Sequence, residues 1–303
     1  MNQKQLEYLL AIDKYQNITK AAEHLYITRS ALNYSLLNLE REIGLPLFKR
    51  ISNRLLPTSA GEVYLNYARE IVRLMRECDT AMKDMIDHTQ GSLNIGITPG
   101  YGQTIFSNIY PEFYKHYPKY TIHLYEGNAK QLYQYLYDGK IDFAWCAYHR
   151  YDQNLEHVIL EQSEVYLAVP RSRCKQDYNQ DLLLQEQPAN LRLYKTEQFV
   201  LMNPNSLIRE ITDIYFNNAG FTPQCLMECS VINMTRQFTS KGIALSFLPA
   251  PMCRPNLEIV YFPLKKPEYF SLAVSYRKGT FLTVADQFFI DLIRKQYHDI
   301  VNQ

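Results

Sequence analysis

The chain has 303 residues, 47% of them apolar, with 32 basic and 31 acidic side chains and a formal charge of +1 at pH 7. That size and apolar share suffice for two or more hydrophobic cores, and no run of eighteen or more apolar residues offers a membrane span. Residues 1–16 carry Lys4, Glu7, Asp13 and Lys14 without the apolar stretch of a signal peptide, and the six cysteines are dispersed, so a cytoplasmic, reducing location and no membrane partner are expected.

Residues 18–43 read as two short helices hinged by a tight turn. Thr19 is the expected N-cap of the first, where Lys20 to Leu25 include the small residues Ala21 and Ala22, which allow a second helix to cross closely. Thr28 is the expected cap of the second, in which Leu32, Leu36, Leu39 and Ile43 recur at three- and four-residue steps as one apolar stripe. The other faces carry Arg29, Ser30, Asn33, Tyr34 and Asn38. Such side chains suit base edges and phosphates, since Arg forks onto guanine, Asn pairs with adenine and hydroxyls serve either. A bare pair of core helices in a globular enzyme fits the same pattern.

Residues 44–55 favour the DNA reading. Gly44 and Pro46 stop the second helix, and Leu47-Phe48-Lys49-Arg50 turns basic. Ser52-Asn53-Arg54, between Ile51 and Leu55, reads as the turn of a hairpin wing, with Arg50 and Arg54 directed at phosphate or the minor groove. Within residues 1–60 eight basic residues face five acidic ones, whereas residues 61–90 hold four against six, so the positive charge gathers in the proposed reading head.

These residues carry a resemblance. Ala21-Ala22, Leu25, Ala31-Leu32, Leu39-Glu40, Gly44, Leu47-Phe48, Arg50, Pro57-Thr58 and Ala60-Gly61 make residues 2–65 similar to the N-terminal domain of the LysR-type transcriptional regulators. Arg29-Ser30 stands where that family usually has Gln-Pro, and Asn33 replaces a common Ser, so base preference does not carry over from relatives. The resemblance implies a winged helix-turn-helix over 1–58 that binds double-stranded DNA through the side chains named above, Thr19 and Lys20 included.

From Ser59 to about Asp87 there is no Pro and no Gly beyond Gly61. Tyr64, Ile71, Cys78 and Met85 recur every seven residues, with Ala68, Met75 and Met82 as a companion line. The seam packs either on its own domain or on a second copy, and the resemblance favours the second. A homodimer, extended to a homotetramer, would place two reading helices on half-sites about 34 to 36 Å apart, an interrupted inverted repeat.

Beyond Gly91 strands and helices alternate: strand 92–98, helix to about 116, strand 120–126, helix 129–137, strand 141–147, then a strand near 165–169 into a second unit with strand 199–202, helix 206–218, strand 224–228, helix 232–240 and strand 244–248. Strand 269–276 and helix 283–297 return to the first unit. The order implies a mostly parallel sheet covered by helices, an α/β architecture. Leu136–Ala144, Ala219–Pro223 and Gly242–Pro249 resemble the two-lobed, periplasmic-binding-protein-like effector domain of the LysR family, expected over 91–303 with lobe I at 91–162 and 268–303 and lobe II at 163–267; the linker helix then spans 59–90. Residues 172–196 depart from the family's usual connection.

In open α/β sheets ligands sit beyond the carboxyl ends of strands, near helix N-termini. The loop Thr98 to Gln103, with Tyr101 and Gly102, and the loop Asn203 to Leu207, with Ser206, enter helices from strands. Asn128, Ala147, Ile232 and Asn233 lie at neighbouring strand ends and helix starts. These residues hold a small-molecule effector or only cap helices, and the resemblance favours the effector. The nearby Tyr101, Phe106, Trp145, Tyr148 and Phe247 suggest an aromatic or weakly charged compound.

Other chemistry finds little footing. Cys225 and Cys229, four apart on one face of an expected strand, are too far apart for a disulfide and read as small buried thiols. The seven histidines lack zinc-ligand spacing, and neither a phosphate loop nor a nucleophile elbow occurs, so no cofactor, no metal and no enzymatic activity are expected. The function read from the sequence is a DNA-binding transcriptional regulator that responds to an effector and recruits RNA polymerase, the alternatives being a solute-binding module or a redox-sensing regulator.

Overall fold

The structure, a computed structural model, describes residues 2–52, 54–99 and 101–301, and the side chains of all of these but 101, 104, 296 and 298–301. The chain divides into two compact units, residues 1–86 and 87–303.

The first unit opens with α1 (Gln3–Tyr15), closed at its start by a capping box between Asn2 and Gln5. Helix α2 (Ile18–His24) is capped by Asn17, whose side-chain oxygen accepts from the Thr19 and Lys20 amides at 2.9 and 3.1 Å. This corrects the expectation for Thr19. Asn17 has the extended backbone that aims a side chain back at the first turn, whereas Thr19 already lies inside the helix as a donor. Helix α3 (Arg29–Ile43) is capped by Thr28, which accepts from the Ala31 amide at 3.2 Å, and it ends on Gly44 in the left-handed conformation. Ala21, Ala22, Leu32, Leu36 and Leu39 are buried together with Leu9, Ile12 and Leu47 in one core. Strands β1 (Phe48–Ile51) and β2 (Arg54–Pro57) pair antiparallel with Ile51 opposite Arg54, leaving a two-residue turn. Ser52 takes a left-handed φ of 45° there, while Asn53 lies outside the described residues.

Helix α4 (Ser59–Ile86) starts at Thr58, whose hydroxyl donates to the Pro46 carbonyl at 2.7 Å and accepts from the Gly61 amide at 3.0 Å. Its heptad seam divides. Tyr64, Ala68 and Ile71 pack with Val72 against Leu6 and Leu10 of α1, and Arg69 pairs with Asp13 at 2.7 Å. Beyond them Leu74, Met75, Cys78, Met82, Met85 and Ile86 are exposed.

In the second unit β3 (Gln90–Ile97) runs parallel to β4 (Lys119–Glu126) and β5 (Phe143–Tyr148), with α5 (Tyr101–His116) and α6 (Ala129–Tyr137) as crossovers. The sheet is completed by β6 (Leu155–Ser163), an element not foreseen, and by β12 (Phe270–Arg277) in the order β4-β3-β5-β12-β6. Strand β12 is antiparallel to both neighbours, so the sheet is mixed rather than mostly parallel. Physically, β12 arrives from the second sheet instead of through a helical crossover, which frees it from the parallel rule. Helix α9 (Val284–Val301) then packs on this sheet through Phe289, Ile293 and Tyr297.

The chain leaves at Ser163 for β7 (Val165–Pro170), which pairs antiparallel with β10 (Ser246–Pro249) and β11 (Ile259–Pro263), the latter also unforeseen. Strands β8 (Gln198–Met202) and β9 (Gln224–Cys229) are parallel, and Leu245 bridges β8 to the strand leading into β10. Helices α7 (Leu207–Ala219) and α8 (Ile232–Ser240) cover this lobe, and the polypeptide passes between the two sheets at 163–165 and again at 263–270. Residues 172–196 form irregular chain with short turns at Arg171–Arg173 and Leu191–Tyr194. Buried Gln185 pins this segment, exchanging bonds with the Asn179 backbone at 2.7 and 2.8 Å while its own amide reaches the Tyr261 carbonyl of β11 at 2.9 Å.

Candidate nucleic-acid interface and ligand cleft

Because Leu32, Leu36 and Leu39 fix the inner face of α3, Arg29, Ser30, Asn33 and Tyr34 face outward and are exposed. The Thr28 hydroxyl lies 3.1 Å from that of Ser30, so the cap also orients the first polar side chain of the helix. Asn38 is less free than expected, because its side chain accepts from Arg41 at 3.1 Å. Thr19, Lys20, Arg50 and Arg54 are all exposed. Sequence reasoning passed over Lys49, exposed on β1, and Tyr26 in the interhelical turn, which is 96% exposed with a left-handed φ of 54°. Glu40, at the back of α3, accepts from the Leu47 and Phe48 amides at 2.7 and 3.1 Å and thereby sets where the wing leaves the helix.

Within the second unit a cleft of about 380 Å³ lies between the two sheets. Thr98, Asn128 and Ala147 line it from one lobe, and Asn203, Ser206 and Ile232 from the other. Three expected residues fall elsewhere. Gly102 is buried, packing α5 against Ile97; Gln103 is exposed and donates to Glu126 at 2.5 Å; Asn233 is absent from the described lining. The side chain of Tyr101 lies outside the described residues. Nor do the anticipated aromatics enter the described lining: Trp145 and Phe247 are core, Phe106 packs against that core, and Tyr148 stacks on His157.

Residues not foreseen supply much of the wall, notably Glu126, Glu161, Ser163, Met202, Phe270, Leu272 and Tyr297. Glu161 and Ser163 escaped notice because the polar residues of β6 hid a strand. Tyr297, fully buried on α9, donates its hydroxyl to Glu161 at 2.6 Å.

The cysteine expectation also needs correction. A bulge in the β8–β9 ladder sets Cys225 opposite Phe199 and Cys229 opposite Met202, three residues apart, so the two thiols lie on different faces. Cys229 is buried and Cys225 exposed. Burial also pushes the Cys146 thiol up to about 12. No group of three or more His, Cys, Asp or Glu arranged to hold a metal occurs among the described residues.

Comparison with known proteins settles the family. The description "LysR substrate binding domain" matches residues 87–297, and "Bacterial regulatory helix-turn-helix protein, lysR family" matches residues 3–62. The chain belongs to the LysR family. It is a LysR-type DNA-binding transcriptional regulator with an effector-binding domain. Similar proteins include the uncharacterized HTH-type transcriptional regulator YybE of Bacillus subtilis, 24% identical over 95% of this chain and 97% of the relative. The DNA-binding transcriptional dual regulator OxyR of Escherichia coli is 24% identical over 92% and 90%. The LysR fold is shared with CbnR in complex with its target DNA, at a TM-score of 0.57 and 20% identity over 97% of this chain and 99% of that one. A full-length OxyR variant from Pseudomonas aeruginosa superposes with a TM-score of 0.63 at 17% identity, over 100% and 95%.

Proposed function

We propose that the chain works as a homodimer, assembled further into a tetramer, that binds an interrupted inverted repeat and changes lobe closure when a small molecule occupies the cleft. The division is a winged helix-turn-helix over 1–58, a linker and dimerisation segment over 59–90 whose helix ends at Ile86, short of the expected boundary, and an effector domain over 91–303, lobe I comprising 91–162 and 268–303 and lobe II 163–267. Arg29, Ser30, Asn33 and Tyr34 read base edges, while Thr19, Lys20, Arg50 and Arg54 meet the sugar-phosphate backbone and Asn38 acts with Arg41. The observation that carries this reading is the outward polar face of α3 over a buried Leu32-Leu36-Leu39 stripe.

Self-association is supported by the second half of α4, where Met75, Met82 and Met85 continue the seam in exposed positions. Thr98, Asn128, Ala147, Asn203, Ser206 and Ile232 contact the effector, whose differential affinity for open and closed lobes shifts their populations. The altered arrangement of protomers on DNA then governs polymerase recruitment. We place the protein in the cytoplasm and assign it no catalytic step. In support, no helix among the described residues is long and apolar enough to cross a membrane, and the relatives with stated roles are regulators.

The deciding experiment is a gel shift and footprint with DNA upstream of the chain's own gene against random competitor. Protection of two half-sites one helical turn apart is expected. A monomer without preference for any fragment overturns the reading.

A further inference from the structure

We infer that the cleft takes a cationic ligand, an organic amine with an apolar body, seated on Glu161. This rests on the reading of the cleft as the effector site and adds the chemical class.

The floor of the cleft is a sheet surface fixed by register. Leu272 of β12 stands opposite Ala147 of β5 on one side and Glu161 of β6 on the other, and Phe270 stands opposite Ser163. All five line the cavity. Glu161 is therefore a partly buried carboxylate on a floor otherwise formed by Ala147, Leu272, Phe270 and the Ser163 hydroxyl. One of its oxygens, Oε2, accepts from the buried Tyr297 hydroxyl at 2.6 Å; the other has no hydrogen-bond partner among the described residues. Two residues along the same strand, Ser163 is 5% exposed and its hydroxyl has no partner among the described residues. A carboxylate oxygen and a hydroxyl oxygen thus stand side by side on β6 with acceptor capacity unused, the complement of an ammonium group with its three donors.

Charge supports the same assignment. Glu126 and Glu161 are the charged side chains of the described lining, which contains no Lys, Arg or His, and neither forms an ion pair among the described residues. The opposing influence is small. The first turns of α6 and α7 are already capped, by Asn128 accepting from the Gln131 amide at 2.9 Å and by Ser206 accepting from the Arg209 amide at 3.2 Å. Helix α8 has no side-chain cap, and one helix end is equivalent to about +0.5 charge against two carboxylates. Its first turn, without a side-chain cap and entered from Ser230 and Ile232 of the lining, serves a hydroxyl or carbonyl elsewhere on the same ligand. Met202, Leu207, Ile208, Met252 and Phe270 provide apolar surface for the ligand body.

Calorimetry on the full chain with phenethylamine, 2-phenylethanol and 3-phenylpropionate tests this. The amine should bind at least tenfold tighter than the alcohol or the carboxylate. Glu161→Gln, which keeps the Tyr297 partner, should lower amine affinity at least tenfold while leaving the alcohol unchanged, and Ala147→Trp should abolish binding by filling the floor. Should Glu161→Gln not fold, Glu126→Gln at the exposed rim should still weaken the amine severalfold. No amine binding at millimolar concentration, a carboxylate that binds as tightly, or an amine indifferent to these glutamate substitutions overturns the proposal. A carboxylate whose binding is lost in Ala147→Trp leaves the cleft as effector site and removes only its charge assignment; a probe that binds Ala147→Trp undiminished removes both.

Discussion

Gly61 and the Leu47 carbonyl meet backbone to backbone: a Cβ placed on Gly61 would lie 1.9 Å from that oxygen and 2.9 Å from its carbon. The neighbouring atoms are main chain, which no rotamer change moves aside. Together with the Thr58 bridge to Pro46, this contact locks the start of α4 onto the segment that leads into the wing. Gly61→Ala should therefore destabilise the first unit by about 1 to 3 kcal/mol, the scale of overpacking. Ser59→Ala, at an exposed position outside the contact, should stay within about 0.5 kcal/mol. Urea denaturation of both variants checks the difference, and equal midpoints would refute the close approach.

Arg29 at the first turn of α3 and Arg54 at the wing turn are both exposed, yet they should fail differently. Arg29→Ala should cost about 1 to 3 kcal/mol at the cognate site and relax preference at one base pair. Arg54→Ala should weaken cognate and random DNA alike and reduce the salt slope by about one. Fluorescence anisotropy over a salt series on both DNAs reads the distinction.

Glu40 ties α3 to β1 through two amide donors, those of Leu47 and Phe48, and both are near the buried side of the loop. Hydrogen bonds to a charged group contribute about 1.5 to 3 kcal/mol, and removing the acceptor leaves both amides unsatisfied. Glu40→Ala should cost roughly 2 kcal/mol of stability on that basis and should also weaken DNA binding beyond what the loss of one remote negative charge explains. Denaturation and anisotropy on the same preparation test both halves. An unchanged melting curve would mean that other contacts fix the wing.

The helix-turn-helix was legible because its signals are local. Thr28, the leucine stripe of α3 and Gly44 each act within a few residues, and the structure uses each of them in that way. Asn17 displaced Thr19 as a cap because capping depends on the backbone angle before the helix, which residue type alone does not set. The cleft was half legible. Thr98, Asn128 and Ser206 sit at strand-to-helix junctions, where topology alone predicts a site. Glu161, Ser163, Phe270 and Tyr297 come from β6, β12 and α9, brought together by a strand order that is not sequential, and long-range pairing leaves no local signature. Strand β6 was also obscured by Glu156, Glu161 and Gln162, polar residues that a strand tolerates at a sheet edge.

The exposed half of the α4 seam offers a test of assembly. Met82 and Met85 are 49% and 72% exposed and lie beyond the turns that α1 covers. Met82→Glu with Met85→Glu should leave the melting temperature of the first unit nearly unchanged, since neither side chain is buried there. Analytical ultracentrifugation should show a shift toward monomer, with operator affinity falling as the second reading helix is lost. A variant that remains dimeric would place the interface on another surface.

His157 supplies a pH dependence whose sign is set by its surroundings. Its ring stacks on Tyr148 with centroids 4.4 Å apart, lies 5.1 Å from the Tyr151 ring and bonds through Nδ1 to the Ser275 hydroxyl at 2.8 Å. Burial disfavours the charged imidazolium and holds its pKa below the ordinary 6.5, outweighing the opposite pull of Asp152 and Glu156, while Lys278 adds to the lowering. Below about 6.5 the unfolded chain takes up a proton that the folded chain refuses, so stability falls as pH drops from that point until the folded group itself titrates. His157→Gln binds no proton in either state and lacks this slope. Guanidinium denaturation of both proteins between pH 7.5 and 5 should give curves whose difference is flat above pH 7 and widens against the parent below 6.5. Parallel curves over the whole range would show that protonating His157 is no harder in the folded state than in the unfolded one.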